Sequence, residues 1–171
     1  MALYNRLRPK SFKRFYGNDS IVEALKQIVE MDPEERPHAF LFTGSSGCGK
    51  TTLARILAKK FGCSGMDFTE LDAGKKRDVE TLRKICEEAH YTPMDGDSRI
   101  FVIDEAHELP KLAQNTLLKT LEDTPEHSYF ILCTTESNKI ISTVKNRCTT
   151  FNVKLFSETV MFKFIEIQLK K

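Results

Sequence analysis

The sequence predicts an α/β fold, a five-stranded parallel sheet with helices on both faces. Two observations predict it. Short apolar runs alternate with stretches of helical spacing along most of the 171 residues. The runs are near-continuously apolar, as strands buried on both faces must be. The first is Ala39–Thr43 (AFLFT), bounded by Gly44, and a helix near Thr51–Phe61 follows with Leu53, Ile56, Leu57 and Phe61 at helical spacing. Phe68–Asp72 (FTELD) is a weaker strand, and a helix near Val79–His90 repeats Val79, Leu82, Ile85 and Ala89. Ile100–Ile103 (IFVI) and Tyr129–Cys133 (YFILC) are fully apolar, with a helix near Leu112–Glu122 between them, and Cys148–Val153 completes the set. A polar arm (Tyr4–Ser11), a helix near Ser20–Met31 and breaks at Asp32-Pro33 and Arg36-Pro37 precede the first strand. Ser157–Gln168 reads as a final helix opened by Ser157. Residues 1–155 are thus expected to form one core (1–37 arm and helix, 38–155 sheet), and 156–171 the first helix of a second, truncated unit.

Composition narrows the function classes. A chain of this length buries about 70% of its unfolded surface, so it needs no disulfide or metal to fold. Lys and Arg number 26 against 24 Asp and Glu, a net charge of +2, which excludes a protein that coats polyanions by bulk charge. No apolar run approaches the roughly 18–20 residues of a membrane span, and the first residues lack the apolar centre of a signal peptide. The expectation is a cytoplasmic protein with no membrane partner. Cys48, Cys63, Cys86, Cys133 and Cys148 are an odd number at wide spacings without a CxxC or CxxH pair, so free, mostly buried thiols are expected.

Gly44-Ser45-Ser46-Gly47-Cys48-Gly49-Lys50-Thr51 fits G-x-x-x-x-G-K-[ST] between a strand and a helix, with Thr52 extending it into the first turn. Glycines let backbone N–H groups curl round a phosphate, and the helix N-terminus adds partial positive charge. Lys50 would reach the β- and γ-phosphates and Thr51 would give its hydroxyl to Mg²⁺. Asp104-Glu105 ends an apolar strand, where a parallel sheet presents its ligand crevice. Asp104 would hold the metal and Glu105 would polarise a water; as an isolated pair they would read equally well as a helix cap. Asp104-Glu105-Ala106-His107 also spells a helicase signature, but such helicases need a second domain for which 171 residues leave no room. His107 reads as a structural or coupling residue. Thr134 and Thr135 end the next strand, where a hydroxyl could orient water. Arg147 precedes the last strand, either as a solvated charge or as an arginine finger for a neighbour.

Together these residues resemble a known family. Arg8-Pro9-Lys10-Ser11-Phe12 after Ala2-Leu3-Tyr4, the phosphate loop, Glu70–Ala73, Phe101–His107, Asn115–Glu122 (NTLLKTLE), Pro125-Glu126-His127 and Phe130–Glu136 follow in order the bacterial clamp-loader ATPases, the DNA polymerase III gamma/tau subunits. That family is AAA+, and the resemblance runs from about Ala2 to Val153. It implies an ATPase using ATP and Mg²⁺, with other loader subunits (five in all), a sliding clamp and primer-template DNA as partners. It implies Thr135 as sensor, Arg147 as a finger acting in trans, and Arg8, Pro9, Tyr16 and Gly17 at the adenine. Lys76 and Arg83 fall at DNA-tracking positions, though solvated helix charge explains them equally well. Three departures stand out. Cys63 matches only the first cysteine of the family's zinc module, so no zinc is expected. Asn146 replaces the serine of Ser-Arg-Cys. The helical lid should begin near Ser157 and is largely missing, so the chain is either a fragment or an unusually short relative. Two alternatives remain open: a non-hydrolysing, arginine-donating subunit of the same machine, or another AAA+ DNA-processing ATPase.

Overall fold

A computed structural model describes residues 7–169; Ala2, Leu3 and Tyr4 lie outside the described residues. The strands are β1 (Ala39–Thr43), β2 (Phe68–Asp72), β3 (Arg99–Asp104), β4 (Ser128–Thr134) and β5 (Thr149–Asn152). They form one sheet in the order β2-β3-β4-β1-β5, and every pairing is parallel. The helices are α1 (Asp19–Glu30), α2 (Lys50–Lys60), α3 (Val79–Glu88), α4 (Lys111–Glu122), the short α5 (Ser142–Lys145) and α6 (Glu158–Leu169). Each expected element is present: β1 and β2 have the expected bounds, and the ends of the others move by at most two residues. The helix expected to reach His90 stops at Glu88, where Ala89 and His90 close a turn onto Ile85 and Glu87.

Position in the sheet explains strand composition. β4 is buried along its whole length, and β1 and β3 are buried up to their last residue. The edge strands differ. β5 exposes Thr150 and Asn152 while Thr149 and Phe151 stay half-buried, the alternation of an edge, and Cys148 belongs to the turn closing α5. Two apolar layers cover the sheet. Phe40, Phe42, Ile100, Val102, Tyr129 and Ile131 share one layer with α2 and α1, through Leu53, Leu57, Val22 and Leu25. Leu41, Phe101, Ile103, Phe130 and Leu132 share the other with α3 and α4, through Leu82, Ile85, Leu117 and Leu121. Phe12 and Phe15 are buried in the first layer, so the N-terminal segment is fixed to the core by apolar anchors worth about 1.5–3 kcal/mol each.

Just before β2 a carboxylate organises the chain. Asp67 is fully buried and accepts hydrogen bonds from the N–H groups of Met94 (2.8 Å), Asp95 (2.7 Å) and Gly96 (2.9 Å) and from Arg99 Nη2 (3.2 Å). Burial by itself would raise the Asp67 pKa. The three N–H groups and the guanidinium outweigh it and hold the carboxyl below the usual range. Its stabilisation is therefore present above the unfolded carboxyl value near ~3.9 and is lost as pH falls through the lower folded value. Asp67→Asn leaves Arg99 buried without a counter-charge and should cost about 3–5 kcal/mol. Denaturant unfolding should show that loss at neutral pH, together with a flatter acid limb below pH ~4.

Candidate functional site

The phosphate loop lies between β1 and α2. Gly44, Gly47 and Gly49 have φ of +143°, +77° and +102°. At Gly44 glycine is obligatory on two counts: this backbone conformation, and the Val153 carbonyl oxygen only 2.0 Å from where a Cβ would stand. The Gly44 N–H donates to Thr134 O at 3.2 Å, tying the loop to the tip of β4. Lys50 is buried and its Nζ donates to the Gly44 and Ser45 carbonyls at 2.8 and 3.0 Å. At the loop opens a pocket of about 560 Å³, lined by Leu7, Arg8 and Pro9 of the N-terminal segment, by Ser46–Thr52 without Cys48, and by Asp104 and Glu105. The N-terminus of α2 faces it, so its unpaired N–H groups and dipole favour an anion.

The acidic pair reaches the same pocket from β3. Thr51 Oγ1 donates to Asp104 Oδ2 at 2.8 Å, and Asp104 Oδ1 accepts the Glu105 N–H at 3.1 Å. Glu105 itself takes a left-handed conformation, φ +50°, which turns its side chain out of the strand path. Thr135 Oγ1 donates to Glu105 Oε2 at 3.4 Å. Thr134 points elsewhere: its hydroxyl oxygen accepts the Glu136 N–H at 3.0 Å and lies 3.2 Å from His107 Nδ1. His107, with its side chain only 7% exposed, is ringed by three carboxylates, Glu105 at 3.4 Å, Glu108 at 3.5 Å and Glu136 at 3.4 Å. A hydrogen bond from Lys139 holds the Glu136 carboxyl below its ordinary range, against some desolvation and with help from the Lys139 and His107 charges.

A family model described as DNA polymerase III, delta subunit, matches residues 66–157, just over half of the chain. The chain belongs to this family. The matched span begins after the phosphate loop, but relatives align over nearly all of it. The gamma subunit of DNA polymerase III from Buchnera aphidicola subsp. Schizaphis graminum is 36% identical over 99% of this chain and 52% of its own length. The gamma/tau subunit from Mycobacterium tuberculosis (strain H37Rv) is 34% identical over 94% of this chain and 32% of its own. The chain thus spans between about a third and a half of these relatives. Among solved structures, a Holliday junction branch migration motor, RuvB of Thermotoga maritima, superposes with a TM-score of 0.70 at 24% identity, covering 94% of this chain and 53% of that one. A gamma-subunit-related protein of DNA polymerase III from the same organism gives 0.67 at 20% identity, over 80% and 47%. The fold is therefore of the AAA+ P-loop type.

In this member of the family the other expected positions separate. Arg8 and Pro9 line the pocket, but Tyr16 and Gly17 are not among its lining residues. Gly17 instead faces Phe156 and Val160, 3.4 and 3.7 Å from the place of a Cβ. Ser45 is exposed on the loop and Cys48 is buried behind it. Lys76 lies in the turn after β2 and Arg83 on α3, both exposed, with Arg83 3.9 Å from Glu80. Arg147 precedes β5, at the edge of the sheet where strands begin, whereas the pocket lies where β1 and β3 end. Of the five free thiols, Cys48 and Cys133 are buried and the rest half-buried; burial pushes Cys63 up to about 11 and Cys148 up to about 12, far from nucleophilic at neutral pH.

Sequence reading missed several neighbours. Leu7 walls the pocket, and Gln114 inside α4 links three backbone segments through Leu109 O (3.0 Å), Lys139 O (3.2 Å) and the Ile141 N–H (2.9 Å). Gln114 at helical spacing from Leu117, Leu118 and Leu121 was the available signal, since a polar side chain on the apolar stripe must find buried partners. Lys111, Lys139 and Lys145 share a second cavity of about 600 Å³ with Asn138, Ser142 and His107. Among the described residues no helix is long and apolar enough to cross a membrane. Gly44→Ala tests the loop: it should cost more than about 2 kcal/mol through positive φ and the Val153 contact, read as a lowered melting temperature.

Proposed function

We propose that the chain is the ATP-binding and ATP-hydrolysing core of a sliding-clamp loader of the gamma/tau type. One observation carries this reading: Lys50 and Thr51, which open α2 after β1, and Asp104 and Glu105, at and just past the end of β3, line one pocket although β1 and β3 are not neighbours in the sheet. Lys50 would exchange the Gly44 and Ser45 carbonyls for the β- and γ-phosphates, with Gly44–Thr52 supplying backbone N–H groups. Thr51 and Asp104 bring two hard oxygen donors into hydrogen-bond contact, a set that fits Mg²⁺ shared with phosphates. Such an ion would neutralise charge developing on the phosphate oxygens. Glu105 would accept the proton of the attacking water, with Thr135 steadying its carboxylate. Arg8 and Pro9 would border the base; Tyr16 and Gly17 would act from behind them.

Arg147 would complete a neighbour's site. Residues beside Arg147 in β5 align with the start of β1, and the five residues of β1 put roughly 16 Å of strand between that edge and the chain's own phosphate loop. We read α6 as the first helix of a lid; its exposed Met161, Phe162 and Ile165 support a helix that packs on more than this core. Other loader subunits, a clamp and primer-template DNA would be the partners. Lys76 and Arg83 remain the proposed DNA contacts from resemblance, and the Lys111–Lys139–Lys145 cavity is a second basic surface for phosphates.

ATP turnover measured against protein concentration, with and without primed DNA, tests the reading. Turnover should rise with both. Concentration-independent turnover indifferent to DNA would point to a self-contained ATPase of another branch. Lys50→Ala should weaken ATP binding roughly 10- to 100-fold. Glu105→Gln should leave binding intact and lower turnover by about 10²–10⁴-fold. Binding that survives Lys50→Ala unchanged would remove the phosphate-loop assignment.

A further inference from the structure

Arg147, assigned above to a neighbour's nucleotide, is engaged within its own chain. Its Nη1 donates to Thr143 O of α5 at 2.7 Å, and its Nη2 donates to the carboxylate of Glu122, the last residue of α4. Its Nε is buried without a partner. The two side chains are 29% and 53% exposed, beside a cleft of about 190 Å³ walled by Pro37, His38 and Thr124. Both ends of the guanidinium fork are thus satisfied by acceptors of the same chain. A finger needs those ends to grip phosphate oxygens.

We propose that Glu122 is a latch on Arg147, a carboxylate that competes with the neighbour's phosphate for the guanidinium. The inference rests on the reading of Arg147 as a finger acting in trans and adds its regulation. Carboxylate and phosphate recognise the same planar donors, but a polyphosphate carries more charge and more oxygens. A well-aligned neighbour therefore displaces Glu122, and a misaligned one leaves the pair closed. The pair is too exposed to be a strong lock: surface ion pairs of this kind bias a population by about two- to five-fold. A purely structural role is already filled by other contacts. α4 is joined to α5 by Leu117, Leu121 and Val144 in one apolar layer, and to the residues leading into α5 by the Gln114 bonds to Lys139 O and the Ile141 N–H.

Trans-complementation separates the possibilities. A Glu105→Gln chain keeps Arg147 but cannot hydrolyse; an Arg147→Ala chain can hydrolyse only beside an arginine donor. Mixed, they should turn over ATP above the sum of the two alone. Donors carrying Glu105→Gln with Glu122→Gln should raise that rate about two- to five-fold at sub-saturating donor, with KM for ATP unchanged. Adding Arg147→Ala to the donor should abolish the gain. An equal or lower rate with Glu122→Gln overturns the latch while leaving the finger standing. No turnover in the first mixture overturns the finger and the latch with it. If Glu122→Gln lowers the melting temperature by more than a few degrees, Glu122→Asp replaces it. Its shorter side chain keeps the charge, withdraws the oxygen from Nη2, and should give the same gain.

Discussion

β4 stands between β1 and β3, so the phosphate loop and the acidic tip can meet only across the end of β4. The hydrogen bond from Thr51 to Asp104 is that meeting, at 2.8 Å. The rest of the site depends on it being reachable. Register supplies the reach: Thr43 lies level with Thr134, and Ile103 level with Leu132, so the three strands end within two residues of one another. Thr134 then joins both sides. Its carbonyl takes the Gly44 N–H, and its hydroxyl lies between the Glu136 N–H and His107. A fully buried hydroxyl at a strand tip is costly unless so used, and here both its roles position the loops on either side.

The polar groups of the site share a second property. The groups proposed to meet phosphate, metal or the attacking water have partners from their own chain: Lys50 two carbonyls, Thr51 a carboxylate, Asp104 a hydroxyl and an N–H, Glu105 a hydroxyl, Arg147 a carboxylate and a carbonyl. Buried charge without a partner is destabilising by several kcal/mol, about 3–5 when one member of a pair is removed. Ligand binding at such a site is an exchange of partners, so its cost lies in rearrangement rather than in exposing unpaired charge. The same logic appears at Asp67 and Arg99, where no exchange is possible because the acceptor is saturated by three N–H groups and fully buried. That pair is fixed structure; the pocket groups are exchangeable.

Much of this was legible in the sequence, for identifiable reasons. The three inner strands, β1, β3 and β4, were readable because an inner strand must be apolar on both faces, the edge strands β2 and β5 more weakly, and the phosphate loop because glycine, lysine and threonine at fixed spacing have few other uses. Legibility failed where function depends on contacts distant in sequence. Nothing in the spacing of Glu122 and Arg147, 25 residues apart, announces that they touch. The ring of carboxylates round His107 comes from three different loop positions, and the buried Gln114 is explained only once α4, α5 and the turn at Lys139 are assembled. Tyr16 and Gly17 were assigned to the pocket by resemblance alone; Gly17 faces the connection to α6 instead, where Asn18 bonds both the N–H and the carbonyl of Lys154 at 2.8 and 2.9 Å. The N-terminal segment that lines the pocket is thereby tied to the base of α6.

A parallel sheet has two unlike edges, and on the proposed reading this chain would use each for a different subunit. Strand ends gather the groups proposed for the chain's own nucleotide; strand beginnings carry Arg147 and its partner Glu122. Because all five strands run the same way, no local adjustment of β5 can carry Arg147 to the loop after β1. Arg147 and the pocket of one chain are therefore separated by construction, and a carboxylate latch on Arg147 would respond to a neighbour's phosphate and not to its own. A latch placed at the opposite edge would weigh only the alignment of the next subunit. Withholding a charge that the transition state needs makes turnover depend on assembly without altering any residue of the pocket itself.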